Sequence, residues 1–112
     1  MHNDDPEMLA DLYVLEGHTP VHVTSLREWS EKHRLGKRVD ITTVGTQYVS
    51  TVFLGTNHNY RRIGPPILFE TMILDSACHG TFCRRYATWD EAQQGHDATV
   101  AALRAGTLPR DD

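Results

Sequence analysis

The stretch at 50–73, STVFLGTNHNYRRIGPPILFETMI, decides the fold of this chain. Its two ends extend into runs at 48–55 and 67–74 that are rich in β-branched and aromatic residues, and these runs predict strands. Between them lies TNHNYRRIGPP (56–66), a loop dense in hydrogen-bonding and cationic side chains. Binding loops are commonly mounted on a rigid scaffold of strands, so this loop is the first candidate for a functional site.

Length and composition restrict the class of protein. A chain of 112 residues is the size of one domain, and we expect that domain at 11–106, between flexible tails at 1–10 and 107–112. The net charge of −4 argues against a nucleic acid partner. No apolar run reaches the roughly 18 residues of a membrane helix, and the acidic start is unlike a signal peptide. We therefore expect a cytoplasmic protein, with Cys78 and Cys83 as thiols.

Local signals place the remaining elements around the stretch. Ser25 with Glu28, and Thr88 with Glu91, have the spacing of a capping box, which marks the start of a helix. The first helix is expected to end near 35–36 and the second near 105. Strands are expected at 11–16, 39–44, 48–54, 67–74 and 81–87, with an extended segment at 18–23. This order predicts an α+β fold: an antiparallel sheet of four to five strands, a meander of two hairpins, with two helices packed on one face.

Turn lengths determine the expected pairing of the strands. A two-residue turn at 45–46 pairs Thr43 with Tyr48, Ile41 with Ser50 and Val39 with Val52. A six-residue turn at 75–80 places Glu70 opposite Arg85, which is a favourable cross-strand pair.

The two faces of the first hairpin differ in composition. One face is mostly apolar and is expected to meet the core; it carries Val39, Ile41, Tyr48, Val52 and Leu54. The other face mixes polar residues with Val49 and Phe53 and is expected to be partly exposed. An exposed patch of Val49 and Phe53 would favour a homodimer.

The central loop offers groups that suit a small ligand. Asn57, His58 and Asn59 supply hydrogen-bond donors and acceptors, and Arg61 and Arg62 supply guanidinium groups suited to phosphate or carboxylate. These residues predict a site for a small anionic, nucleotide-like ligand. The alternative interpretation is a solvated connection whose arginines only favour solubility.

His96 is the second candidate and is included among the ligand-binding residues. It lies on the apolar stripe of the last helix, where Leu would pack better. Gly95 beside it lowers helix propensity by about 1 kcal/mol relative to Ala, which indicates close approach by a ligand or by backbone. The alternative is a core histidine bonded to a backbone carbonyl, with Gly95 giving the helix room on the sheet.

Three residues could instead serve an enzyme. His58 with Glu70 or His96 could form the acid–base pair of a small hydrolase or nuclease. The pairing with Arg85 gives Glu70 a structural explanation, because a carboxylate in an apolar strand must be paired or half exposed. The chain has no HExxH motif, no HxH with a nearby carboxylate and no CxxC, so we expect no metal and no cofactor.

Four phrases of the sequence resemble a family of short proteins from bacteriophages and their bacterial hosts, of the prophage type. They are YVLEGHTPV (13–21), VSTVFLGTNHNY (49–60), PPILFETMI (65–73) and RYATWDEAQQGH (85–96). The resemblance implies an origin and an architecture, and no particular reaction. Arg61 and Arg62 lie where members of that family vary, which weakens the case for an anion site.

These patterns favour a non-enzymatic binding or interaction module of a phage-type accessory protein. Its expected partner is a host or phage protein, or a small anionic ligand. Two alternatives stay open: the small hydrolase or nuclease, and a purely structural accessory protein that binds no ligand.

Overall fold

The computed structural model describes residues 10–33, 38–77 and 79–107. The predicted end of the first helix at 35–36, most of both predicted tails (1–9 and 108–112) and Cys78 lie outside these residues. The elements in chain order are β1 (Tyr13–Glu16), β2 (Thr19–His22), α1 (Leu26–His33), β3 (Arg38–Val44), β4 (Gln47–Phe53), β5 (Phe69–Leu74), β6 (Gly80–Tyr86) and α2 (Trp89–Arg104).

The predicted α+β class is confirmed. β3, β4, β5 and β6 form an antiparallel sheet of four strands in chain order, and β1 and β2 form a separate antiparallel pair. The extended segment predicted at 18–23 is therefore a strand of this small sheet. The register of the large sheet contains the predicted pairs Thr43–Tyr48, Ile41–Ser50 and Glu70–Arg85. The predicted pair Val39–Val52 is wrong, because a register shift in β3 places Arg38 opposite Val52.

The helices are anchored by their predicted first turns. Thr88 caps α2 with a reciprocal pair: Glu91 N–H donates to the Thr88 hydroxyl at 3.1 Å, and Thr88 N–H donates to the Glu91 carboxylate at 3.1 Å. α2 lies across the large sheet and buries Ala92 and His96 against it. α1 packs against the small sheet, and its Trp29 indole N–H donates to the carbonyl of Gly55 at 2.8 Å. No helix of the described residues is long and apolar enough to span a membrane.

The predicted assignment of the sheet faces is wrong. Val49 and Phe53, expected in an exposed patch, are buried on the side of α2, whereas Ile41, expected in the core, is 45% exposed. The mixed face can be buried because the hydroxyls of Thr42 and Thr51 on that face find hydrogen-bond partners on the ring of His96.

Val39 reaches the core for a different reason. The register of β3 shifts between Arg38 and Asp40, so Val39 is the extra residue of a β-bulge. Its side chain packs against the cluster of Phe53, Leu68, Phe69 and Ala92. This cluster and a second one around Leu12, Val14 and Val23 form the core that supports the connection between β4 and β5.

Candidate functional site

The segment at 54–68, called the β4–β5 loop below, is tied down on both sides. At its base Leu54 N–H donates to the carbonyl of Leu68 at 2.7 Å, and further along His58 N–H donates to the carbonyl of Ile67 at 2.8 Å. On its other side Asn57 N–H donates to the carbonyl of Asp11 at 3.0 Å. These backbone contacts hold the loop against the strands and against the start of the small sheet.

Asn57 and Asn59 bind the loop to itself. The Asn57 side-chain oxygen accepts hydrogen bonds from the N–H of Asn59 at 2.8 Å and of Ile67 at 3.0 Å. Asn59 is buried, and its side-chain NH₂ group donates to the carbonyls of Ile63 at 2.7 Å and Pro65 at 2.9 Å. Short amide side chains commonly stabilise turns in this way. Both amides are thus engaged inside the loop rather than directed to a ligand.

Arg62 closes the loop onto the N-terminal side of the small sheet. Its guanidinium group binds both oxygens of the Asp11 carboxylate, with 2.9 Å from Nη2 to Oδ2. The hydrogen bond from Arg62 lowers the pKa of Asp11 below its ordinary value. Arg62 has a φ of 61°, which is uncommon for a residue with a side chain. The loop therefore holds Arg62 in a defined position as a structural ion pair.

The tip of the loop, defined here as Tyr60, Arg61 and Ile63, faces solvent. Tyr60 is 71% exposed and Ile63 is 81% exposed. The ring of His58 lies beside that of Tyr60, with centroids 5.7 Å apart, and its Nδ1–H donates to the carbonyl of Thr56 at 2.9 Å. A tyrosine, an arginine and an isoleucine are thus displayed on a loop in which the side chains of Asn57, His58 and Asn59 bond to loop backbone groups.

His96 lies on the α2 side of the sheet, within the core. It is 1% exposed, and its Nδ1 is 2.8 Å from the hydroxyl of Thr51 and its Nε2 is 2.9 Å from the hydroxyl of Thr42. The Thr51 hydroxyl is in turn 2.5 Å from that of Thr71. Burial lowers the pKa of His96, although the nearby carboxylate of Asp40 opposes this. His96 is therefore a neutral core histidine, as the alternative interpretation of the sequence predicted. Its hydrogen-bond partners are hydroxyl groups instead of the expected backbone carbonyl.

Gly95 allows α2 to lie close to the sheet, at the ring of Tyr86. A Cβ at this position would overlap the hydroxyl and ring of Tyr86, so the aromatic ring occupies the space that a larger residue would need. The Tyr86 hydroxyl also bonds to Thr71, and burial raises the pKa of Tyr86. Gly95 is therefore explained by helix–sheet packing, with no ligand required.

Glu70 projects from the opposite side of the sheet. Its neighbour Thr71 is bonded to the His96 cluster, and consecutive residues of a strand point to opposite faces. The Glu70 carboxylate accepts hydrogen bonds from Arg85 Nε at 2.9 Å and from the exposed thiol of Cys83 at 3.3 Å. The hydrogen bond to Glu70 raises the pKa of Arg85. The sheet thus lies between Glu70 and His96, the two residues that the sequence offered as alternative acid–base partners of His58.

The sequence-predicted residues therefore fall into two places. Asn57, His58, Asn59, Arg61 and Arg62 share the β4–β5 loop, whereas His96 is enclosed between α2 and the sheet. Sequence reasoning missed the role of Asp11 and the exposed position of Ile63. An isoleucine in an otherwise polar loop was the signal that could have identified the latter, since apolar residues exposed in a cluster often mark interaction sites.

Comparisons with known proteins add no further constraint on the site. No protein family, curated protein or solved structure matches the chain. Among the described residues, no three His, Cys, Asp or Glu side chains lie close enough together to hold a metal ion.

Proposed function

We propose that this chain is a non-enzymatic interaction module that binds another protein through the tip of its β4–β5 loop. The observation that carries this proposal is the exposure of Tyr60 (71%) and Ile63 (81%) on a loop braced by Asn57, Asn59 and the Arg62–Asp11 ion pair. Tyr and Arg are enriched among the residues that dominate protein–protein binding energy.

The bracing of the loop favours a protein partner over a small anion. A side chain that is already held in its bound position loses little conformational entropy when a partner associates. Two of the groups predicted to bind an anion are engaged elsewhere: Asn59 donates to loop carbonyls, and Arg62 binds Asp11. Of the two arginines in the loop, Arg61 is the one presented with the apolar side chains of the tip.

The placement of the titratable residues does not favour the hydrolase or nuclease. Such an enzyme needs an acid and a base within reach of the same substrate atom. His58, common to both predicted pairs, uses its Nδ1–H to bond the carbonyl of Thr56 in the loop. Of its two predicted partners, His96 is enclosed by hydroxyl groups on the α2 side, and Glu70 is bonded to Arg85 on the other side. The resemblance to phage-type proteins suggests a host or phage protein in the cytoplasm as the partner, which distinguishes this proposal from a purely structural accessory protein.

Site-specific photo-crosslinking in cells of the native source tests the proposal. A benzophenone amino acid replaces Tyr60 in one variant and Gln94, an exposed residue of α2, in the matched control. We expect a discrete protein adduct at position 60 and none at position 94. The adduct should be lost when Ile63→Ser is added.

The second step measures the affinity of the cross-linked protein for the purified chain. Tyr60→Ala combined with Ile63→Ala should weaken binding by at least a hundredfold, whereas Gln94→Ala should leave it within twofold. Equal adducts at both positions, or an affinity that does not change in the Tyr60 and Ile63 variant, would contradict the proposal.

A further inference from the structure

β6 is a terminal strand of the large sheet, and its outer edge faces no other strand of the described residues. The carbonyl of Tyr86 accepts a hydrogen bond from Leu68 N–H at 3.0 Å, on the side of β5. Backbone groups point alternately to the two sides along a strand. The N–H and C=O of Arg85 therefore point away from β5, toward the outer edge, where an added strand could pair with them.

A groove follows this edge. It has a volume of about 620 Å³ and is lined by residues from β6, the end of the β4–β5 loop and the first turn of α2, among them Ile67, Cys83, Arg84, Tyr86, Ala87 and Glu91. The Glu91 carboxylate accepts hydrogen bonds from the N–H groups of Ala87 and Thr88. The groove thus combines a strand edge with aromatic and aliphatic surface, as a site for an extended peptide requires.

The charge of the strand indicates the chemistry of the occupant. β6 has the sequence GTFCRRY, with two arginines and no acidic residue, in a chain whose net charge is −4. The side chain of Arg85 is 43% exposed while it pairs with Glu70. An opposite charge beside an exposed arginine stabilises a cross-strand pair, so the charge favours a segment with an acidic side chain at this position.

The groove also reaches the end of the β4–β5 loop. Ile67, in the same loop as Tyr60, lines the groove. The groove therefore extends from the edge of β6 to the end of the loop that carries the tip.

We propose that the outer edge of β6 binds an extended segment of the partner protein by strand addition, with an acidic side chain of that segment beside Arg85. This inference rests on the proposed function and names its binding mode. Backbone hydrogen bonds to Arg85 would supply the pairing, and the groove would select alternate side chains of the segment.

A displayed library of random twelve-residue peptides tests the inference on the full chain. We expect the enriched peptides to alternate apolar or β-branched residues with polar ones and to contain an acidic residue. One enriched peptide, made synthetically, should slow hydrogen exchange at the Arg85 amide when it binds. Failure to enrich any peptide, or unchanged exchange at Arg85 in the bound state, would overturn strand addition.

Matched variants separate the backbone contribution from the charge. Arg85→Ala keeps the N–H and should weaken the peptide about fivefold, whereas Arg85→Pro removes the N–H and should weaken it at least tenfold further. If Arg85→Pro does not fold, hydrogen exchange at the Arg85 amide of the unmodified chain, with and without the peptide, tests strand addition instead. Equal binding by the two variants would overturn the inference, as would a dimer of the chain itself that Arg85→Pro abolishes.

One more variant separates this inference from the proposed function. Peptides that bind the unmodified chain and Arg85→Pro equally, but not Tyr60→Ser combined with Ile63→Ser, would overturn strand addition while the tip remains a binding site. Adducts at position 60 that are unaffected by Arg85→Pro would lead to the same conclusion.

Discussion

At the scale of single residues, His96 joins α2 to two strands through its two ring nitrogens. A buried polar group whose partner is removed costs about 1–3 kcal/mol. His96→Leu should therefore lower the free energy of unfolding by about 2 kcal/mol, because the Thr51 and Thr42 hydroxyls lose a partner. Urea denaturation monitored by tryptophan fluorescence measures this change.

A double-mutant cycle shows whether the hydrogen bond is the cause. Thr51→Val alone leaves Nδ1 of His96 without its partner, and the double variant removes both groups. We expect the loss of unfolding free energy in the double variant to be smaller than the sum of the losses in the two single variants, by about 1 kcal/mol. Simple additivity would mean that packing, and not the hydrogen bond, explains the loss.

Asn59 is a buried residue that holds the shape of the β4–β5 loop through two hydrogen bonds. Asn59→Asp preserves the size of the side chain but replaces a donor to the carbonyls of Ile63 and Pro65 with a carboxylate. The free energy of unfolding should fall by about 2 kcal/mol, because two donated bonds are lost and a charge meets two carbonyl oxygens. Arg61→Ala, at the exposed tip, should change it by less than about 0.5 kcal/mol. Similar losses in the two variants would contradict this role.

At the scale of elements, α2 and the sheet fit together through Gly95 and Tyr86. On an exposed helix, Gly→Ala would stabilise by about 1 kcal/mol. Here a Cβ would overlap the Tyr86 ring, so Gly95→Ala should lower the free energy of unfolding by about 1–3 kcal/mol. In a Tyr86→Ala background the same substitution should be neutral or stabilising. A stabilising effect of Gly95→Ala in the unmodified chain would contradict the packing described.

Local patterns in the sequence predicted most elements but not how they face one another. The capping boxes at Ser25 and Thr88 and the turn at 45–46 specify helix starts and strand register through short-range chemistry, and the structure reproduces them. Which face of the hairpin meets α2 depends on a contact between residues more than forty positions apart. The pairing of Thr51 with His96 cannot be read from either segment alone, so the sequence pattern predicts the more apolar face for the core.

The candidate site was only partly predicted, because its details also depend on contacts between distant segments. Its location between β4 and β5 follows from the polar loop between two apolar runs. Which loop side chains bond to the loop itself and which face solvent does not follow from the sequence, since Asn57 and Asn59 could equally have faced a ligand. The orientation of these side chains is determined by Asp11, Ile67 and the loop carbonyls, whose positions depend on the folded backbone.

At the scale of the whole molecule, stability should depend on pH through His96. Burial lowers its pKa in the folded state, whereas in the unfolded chain the ordinary value is about 6.5. The unfolded state therefore binds more protons below about pH 6.5, so the free energy of unfolding falls as pH decreases from there to the folded pKa. One group contributes at most about 1.4 kcal/mol per pH unit.

Urea titrations between pH 7 and pH 4.5 measure this dependence. The variant that combines His96→Leu with Thr51→Val should show a flatter profile than the unmodified chain over that window. The Asp11–Arg62 pair acts at lower pH, because the pKa of Asp11 lies below its ordinary value of 3.8. Its contribution is present above that value and lost as pH falls through the lowered pKa. Parallel profiles for the two proteins would contradict the assignment to His96.

The proposed function depends most on the β4–β5 loop, which must hold its tip in one conformation. Backbone ¹⁵N relaxation of the full chain measures this directly at Tyr60 and Ile63. The bracing by Asn57, Asn59 and Arg62 predicts order parameters of about 0.85, equal to those of β4 and β5. Order parameters below about 0.6 at the tip, with ordinary values in the strands, would contradict the account.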